Sequence, residues 1–191
     1  MKNLQPCPWA QGELYLDYHN KEWGKPCFDD QRLFEKICLE GQQAGLSWIT
    51  VLKKRDHYRQ RFFQFKPTRV AAMTDKELEE CLTDAGLIRN RLKIYAIRKN
   101  ALAYIALTAD ELSFSEFIWS FVGGEVKVNH FRSMKDMPSQ TVASEAMSKA
   151  LKRAGFTFVG PTICYAFMQS MGLVNDHLVS CPQHPKNTKF Q

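Results

Sequence analysis

Apolar residues in this sequence recur at spacings of three and four, with no sustained two-residue alternation, so the chain is written for helices rather than for a sheet. The helices are also well punctuated. Asp30 stands where a cap is needed, ahead of an apolar face of Leu33, Phe34, Ile37 and Cys38, and Gly41 and Gly45 predict a break after Glu40. Thr74 with Glu77, and Ser113 with Glu116, have the spacing of capping boxes. Gly86 is expected to close the first of these helices, and Gly123 with Gly124 the second. A longer helix is predicted from Asn90 to Leu107 through Ile94, Ile97, Ala101, Tyr104 and Ile105, and another from Thr141 to Gly155. Residues 124–140, with Pro138 and scattered polar groups, read as one long loop. The expected fold class is all-α.

A chain of 191 residues buries roughly 70% of the surface its unfolded form exposes, enough for one core or two small lobes sharing an interface. More than two domains are excluded. Lys and Arg number 26 against 20 Asp and Glu, a formal charge of +6. That excess suits a polyanionic partner, although many basic proteins bind none. Six cysteines are spread through a sequence whose first residues, Met1 to Pro6, lack the apolar core of a secretory signal. A cytoplasmic protein with reduced thiols is expected. No apolar run reaches the roughly 20 residues that cross a bilayer, so no membrane association is expected.

Three constellations can carry chemistry. The segment from Leu151 to Gly172 reads as helix, short turn, helix: Gly155 and Gly160 bracket an apolar turn and Pro161 opens the next helix, where its missing N–H costs nothing. Such a hairpin lets backbone approach another surface and can bind a phosphate oxygen on free N–H groups, and it suits a plain helix connection equally well. The second constellation is Cys7, His19, His177 and Cys181, the last pair four apart and so on one face of a helix. Two thiols and two imidazoles suit a tetrahedral zinc ion with no open position, which would be structural. His184 is a competing ligand, and buried unliganded thiols are the other reading. The third gathers Tyr18, His19, Glu22 and Trp23 in one stretch and Glu40, Gln42, Gln43 and Trp48 in another. Aromatic rings beside a carboxylate suit a flat cationic or polar heterocycle, while tryptophans serve as often in the core.

The stretches Tyr18-His19-Asn20-Lys21-Glu22-Trp23-Gly24 and Leu39-Glu40-Gly41-Gln42-Gln43-Ala44-Gly45-Leu46-Ser47-Trp48 closely resemble those of the bacterial 3-methyladenine DNA glycosylase I family. Lys152 to Cys164 and Gly172-Leu173-Val174-Asn175-Asp176-His177 match as well, and the similarity runs from about Cys7 to Pro185. The resemblance implies an all-helical enzyme of the helix-hairpin-helix glycosylase superfamily, a single compact catalytic unit over residues 1–191. A hairpin lobe would be joined to a lobe that zinc staples from both termini.

By matching positions, one structural zinc would bind Cys7, His19, His177 and Cys181. Tyr18, Glu40 and Trp48 would line the base pocket, with Trp9 and Trp23 close to it, and Glu40 is the expected catalytic residue. The turn Gly155, Phe156, Thr157, Phe158, Val159 and Gly160 would hold the DNA backbone. Lys53, Lys54, Arg55, Arg89, Arg91, Lys152 and Arg153 are further candidates for phosphate contact.

The resemblance implies a monomer that acts on double-stranded alkylated DNA and releases free 3-methyladenine. Many relatives in the wider superfamily place a catalytic aspartate in a Val-Asp-Thr-His-like sequence after the hairpin, and here Asn175 falls in that place. No lysine stands where bifunctional relatives form a Schiff base, so base removal without strand cleavage is expected. The competing readings are a zinc-stabilised DNA-binding module without catalysis and a metal-dependent hydrolase using His19 or His177.

Overall fold

The computed structural model of the chain describes residues 4–188. Its elements are, in order, α1 (Glu13–Lys21), α2 (Asp30–Gln43), α3 (Trp48–Leu52), α4 (Arg55–Arg61), α5 (Pro67–Ala71), α6 (Asp75–Thr83), α7 (Arg91–Leu107), α8 (Phe114–Ser120), β1 (Lys127–Val128), α9 (Val142–Arg153), α10 (Pro161–Ser170), β2 (Val174–Asn175) and α11 (Pro185–Thr188). The fold is mostly helical, as the spacing of apolar residues predicts. The two strands pair in parallel over two residues each, Lys127 with Val174 and Val128 with Asn175. The stretch 124–140, expected as a plain loop, therefore carries β1 and a 3-10 turn at Met134–Asp136.

Helix α2 is the axis of the packing. Every residue from Ile37 to Gln42 is buried, and the helix is covered by α3, α7, α8 and α10. Its N-cap is Asp29, whose carboxylate accepts from the Arg32 N–H at 2.8 Å, and not Asp30 as the sequence suggests. Asp30 instead accepts from the N–H groups of Phe114 and Ser115, 3.1 and 2.8 Å away, and so places a negative charge at the start of α8. The expected break after Glu40 is also absent: α2 continues through Gly41 to Gln43. Gly41 is there for another reason. A Cβ at that position would stand 3.1 Å from the Cβ of Phe158 and 3.3 Å from its carbonyl oxygen, so glycine lets the α9–α10 turn seat directly on α2.

Where caps are local, sequence and structure agree. Thr74 and Ser113 close capping boxes with Glu77 and Glu116, Asn90 caps α7 and Thr141 caps α9. Gly86 is an exception: α6 ends at Thr83, and Asp84 forms the turn by accepting from the Gly86 N–H at 2.8 Å. The turn between α9 and α10 spans the six residues from Gly155 to Gly160, and Pro161 opens α10. Asn100 of α7 pins this turn, accepting from the Thr157 N–H at 2.8 Å and donating to the Thr157 carbonyl at 3.2 Å.

After α10 the chain turns at Gly172 and runs back along the segment that follows α1. The Gly24 N–H donates to the Gln169 carbonyl at 3.0 Å and the Cys27 N–H to the Met171 carbonyl at 3.1 Å. Gly172 has φ of +72°, and a Cβ there would lie 2.4 Å from backbone atoms of Lys25 and Pro26. Gly123 has a similar φ of +70° with nothing within 4 Å of its missing Cβ. Gly123→Ala should therefore cost only the left-handed penalty of about 1–2 kcal/mol. Gly172→Ala, which must also displace backbone, should cost distinctly more, and chemical denaturation of the two variants measures the difference. Equal losses would mean that the contact with Lys25 and Pro26 carries no energy.

Candidate active site and metal centre

One cavity of about 170 Å³ opens between α1, α2, α3 and α10, walled by Trp9, Tyr15, Tyr18, Trp23, Glu40, Gln43, Trp48, Ala166 and Gln169, with Met134 and Met137 at its rim. Sites for drug-sized ligands run roughly 300–1,000 Å³, so this one suits a single small heterocycle. All five residues expected at a base pocket meet here. Tyr18 and Trp48 face each other with ring centroids 5.7 Å apart and planes inclined by 43°, while Trp9 stands edge-on to Tyr15 and Trp23 at 5.0 and 5.1 Å. Two polar atoms of the wall are buried without a partner: the acceptor Glu40 Oε2 and the donor Trp48 Nε1. An orphaned donor and acceptor at one cavity mark a place where a polar ligand repays desolvation already incurred.

The electrostatics turn on a residue that sequence reading passed over. Lys36, one turn before Glu40 on α2, is 5% exposed. Its Nζ lies 3.2 Å from Glu40 Oε1, donates to the Tyr18 hydroxyl oxygen at 2.7 Å and sits 3.4 Å from the centroid of the Trp48 ring. Burial pulls the Lys36 pKa down to about 8, with Glu40 opposing the shift. Burial likewise pushes the Glu40 carboxyl up, with Lys36 opposing. A readable signal was present, because Leu33, Lys36, Ile37 and Glu40 share one stripe of the helix and two charges on an apolar stripe must face each other.

Cys7, His19, His177 and Cys181 converge behind the aromatic wall. All four are buried and their donor atoms lie within 4.8 Å of one another. His177 Nδ1 is 3.2 Å from His19 Nε2, 3.5 Å from Cys181 Sγ and 3.8 Å from Cys7 Sγ, and Cys181 Sγ is 3.5 Å from His19 Nε2. A tetrahedral zinc ion sets donor separations of roughly 3.3–3.8 Å, so the group has the dimensions of a metal centre.

The imidazoles are also oriented for it. His177 Nε2 donates to the Trp23 carbonyl at 3.0 Å and His19 Nδ1 is 2.8 Å from Asn20 Oδ1, which turns the other nitrogen of each ring toward the cluster. The hydrogen bond from Cys7 holds the Cys181 thiol far below its ordinary pKa. His177 and Cys181 do not share a helical face, as their spacing suggested. They follow β2 in an extended segment, and a turn closed by the Cys181 N–H on the Leu178 carbonyl brings them together. His184 stands apart, with Nε2 3.1 Å from the Asn129 carbonyl and 3.3 Å from His130 Nδ1.

The hairpin turn faces two ways. Phe156 and Val159 are buried and anchor it, while Thr157 and Phe158 are half-buried. The N–H groups of Phe158, Val159 and Gly160 take no part in the hydrogen bonds that close the turn, so backbone as well as the half-buried side chains can face outward. Among the basic candidates, Lys152 and Arg153 flank the turn and are exposed, as are Lys53 and Arg89. Three others are already committed: Lys54 donates to the Ala85 carbonyl at 2.6 Å, and the two remaining arginines are paired. Arg55 makes a double hydrogen bond to Glu22 at 2.6 and 2.8 Å, and Arg91 pairs with Glu79. Asn100, which holds the turn, was not legible in sequence because its partner is 57 residues away.

A family model described as Methyladenine glycosylase matches residues 9–184. The DNA-3-methyladenine glycosylase of Haemophilus influenzae is 58% identical over 92% of this chain and 96% of its own length. The DNA-3-methyladenine glycosylase 1 of Escherichia coli is 53% identical over 96% and 99%. A crystal structure of a variant 3-methyladenine DNA glycosylase I in complex with 3-methyladenine superposes with a TM-score of 0.90 at 35% identity, over 97% of this chain and 98% of that one. With the family model matching most of the chain and two relatives more than half identical over nearly its whole length, the chain belongs to the methyladenine glycosylase family, that of the bacterial 3-methyladenine DNA glycosylases I.

Proposed function

We propose that this chain excises 3-methyladenine from alkylated double-stranded DNA by hydrolysing the N-glycosidic bond of an extruded nucleotide, leaving the strand intact. The observation that carries the reading is the cavity itself. It is an aromatic slot sized for one base, with the free acceptor Glu40 Oε2 and the free donor Trp48 Nε1 buried at its wall. A DNA-binding module without chemistry has no use for such a slot. The base must leave the duplex to enter it, because its edge is inaccessible inside the stack.

In this reading Tyr18 and Trp48 stack on the base, Trp9 and Trp23 complete the wall, and Glu40 accepts from the exocyclic amine. Methylation at N3 makes the nucleotide's base cationic, so it departs neutral from an already weakened bond and needs less help from the protein. DNA phosphates stabilise the cationic sugar as the bond breaks, and water then adds. Two features of the chain fit catalysis without a dedicated aspartate. Asn175 is buried, and its Oδ1 accepts from the His177 N–H at 3.3 Å. The neighbouring Asp176 is saturated by Tyr165, by Gln169 at 2.9 Å and by Asn129 at 2.7 Å. Neither group is free to activate water.

The turn from Gly155 to Gly160 serves as the hairpin of a helix-hairpin-helix element and offers its free N–H groups to a phosphate, with Lys152 and Arg153 beside it. One structural Zn²⁺ per chain is held by Cys7, His19, His177 and Cys181, joining a lobe built from both termini to the hairpin lobe in one catalytic unit. With four protein ligands the ion supplies cohesion and no reactive water. The enzyme works as a monomer in the cytoplasm, where its thiols stay reduced. All six cysteines are unbridged and buried, and no described helix is long and apolar enough to cross a membrane.

On methylated DNA, Glu40→Gln should lower release of 3-methyladenine by tenfold or more while DNA affinity holds, as base-release and binding assays on one preparation will show. Near-normal excision would remove Glu40 from the reaction. Elemental analysis should find one zinc per chain, and a chelator should lower the melting temperature before it lowers activity of the folded enzyme; a zinc-free preparation of undiminished stability would contradict the staple. DNA affinity should fall steeply between low and physiological salt, and a flat response would rule out a phosphate-dominated footprint.

A further inference from the structure

The ammonium of Lys36 lies behind the cavity, not in it. Its three partners, Glu40, Tyr18 and Trp48, all wall the cavity, yet Lys36 does not line it. At 3.4 Å from the ring centroid, Nζ occupies one face of the Trp48 indole, so the ring's attraction for a cation is already engaged from behind. Glu40 is engaged in the same way at Oε1, with only Oε2 left over. The other charges near this end of α2, Glu22 and Arg55, neutralise each other through two hydrogen bonds. The wall therefore presents aromatic faces and a free acceptor, but no unbalanced negative charge.

That balance bears on a base whose charge changes during the reaction, and the inference rests on the base-pocket reading above. The methylated base is cationic while bonded to the sugar. As the C1′–N9 bond breaks, its electron pair passes to the base, which becomes neutral, and the positive charge moves to the sugar outside the slot. A lone Glu40 carboxylate behind aromatic faces would hold the cationic base tightly and so deepen the ground state. An ammonium behind the same wall opposes charge on the base, and opposes it less as the bond opens. We infer that Lys36 is a positioning and selectivity-determining residue that neutralises the base slot, so that the slot favours the departing neutral base over the cationic base still attached to DNA.

The test compares two free ligands of the same shape class: neutral 3-methyladenine and the permanently cationic 3,9-dimethyladeninium. Their affinities are read from quenching of tryptophan fluorescence in the wild type, Lys36→Met and Lys36→Gln. Methionine keeps the length of the side chain without the charge, and glutamine can still donate to Glu40 Oε1. Both neutral variants should shift the affinity ratio toward the cation by about tenfold or more, whereas Lys36→Arg should keep the wild-type ratio. In excision of 3-methyladenine from DNA, Lys36→Met should lower KM and kcat together, the signature of lost ground-state destabilisation, which a merely loosened fold does not produce.

A change in the ratio of less than about twofold in both neutral variants would overturn the role of Lys36 while leaving the base slot in place, since 3-methyladenine would still bind. Failure of the wild type to bind 3-methyladenine at all would overturn both.

Discussion

The covered faces of a helix cannot carry a lone charge, and α2 carries three residues for which that rule has to be met. Asp30 at its start finds the N–H groups of α8, Lys36 and Glu40 in its middle find each other, and its C-terminal carbonyls are met by Lys93, whose Nζ is 2.9 Å from the Gln42 oxygen. Each solution recruits a neighbour. Asp30 fixes where α8 begins, Lys93 ties α7 to the end of α2, and Gly41 admits the hairpin turn. The central helix thus sets the places of its neighbours through its polar groups, while the apolar faces supply cohesion.

The aromatic wall has two sides with different tasks. Toward the cavity, Trp9 and Trp23 bound the slot. Toward the interior they pack on the histidines of the metal cluster, with the Trp23 ring 4.7 Å from His177 and Trp9 5.2 Å from His19. The Trp23 carbonyl also accepts from His177 Nε2. The four side chains of the cluster therefore bear on the cavity through one layer of rings, and an ion held by them, as proposed above, would help keep the cavity's shape.

Much of this was legible in sequence wherever cause and effect lie within a few residues. Asn90, Thr74, Ser113 and Thr141 announce their helices because a cap acts on the third residue beyond it. Cys7, His19, His177 and Cys181 stood out by chemistry, because few roles need two thiols and two imidazoles. Reading failed where a residue answers to a distant neighbour. Gly41 looks like a helix breaker until Phe158 is set against it, and Asp30 looks like a cap until Phe114 arrives 84 residues later. Lys36 is half an exception: its place on the stripe of Leu33, Ile37 and Glu40 is local, but Tyr18 and Trp48, which it also meets, lie on other elements. Met134 and Met137 reach the rim only because β1 pairs with β2 and carries the loop there.

The return of the chain along its own beginning sets the order in which the protein can be completed. In the segment from Trp23 to Cys27, the Trp23 carbonyl and the N–H groups of Gly24 and Cys27 find their partners only at His177, Gln169 and Met171, while the N–H groups of Trp23 and Lys25 bond locally to Tyr18 and Glu22. On the ribosome, the first helix and the aromatic residues around it emerge early and must wait for the last part of the sequence before their wall can stand. A nascent chain can assemble α2 with α7 and α8 while its slot remains unbuilt. Chains released before Gln169 lack the partners that close the wall, so premature termination leaves fragments without a finished cavity.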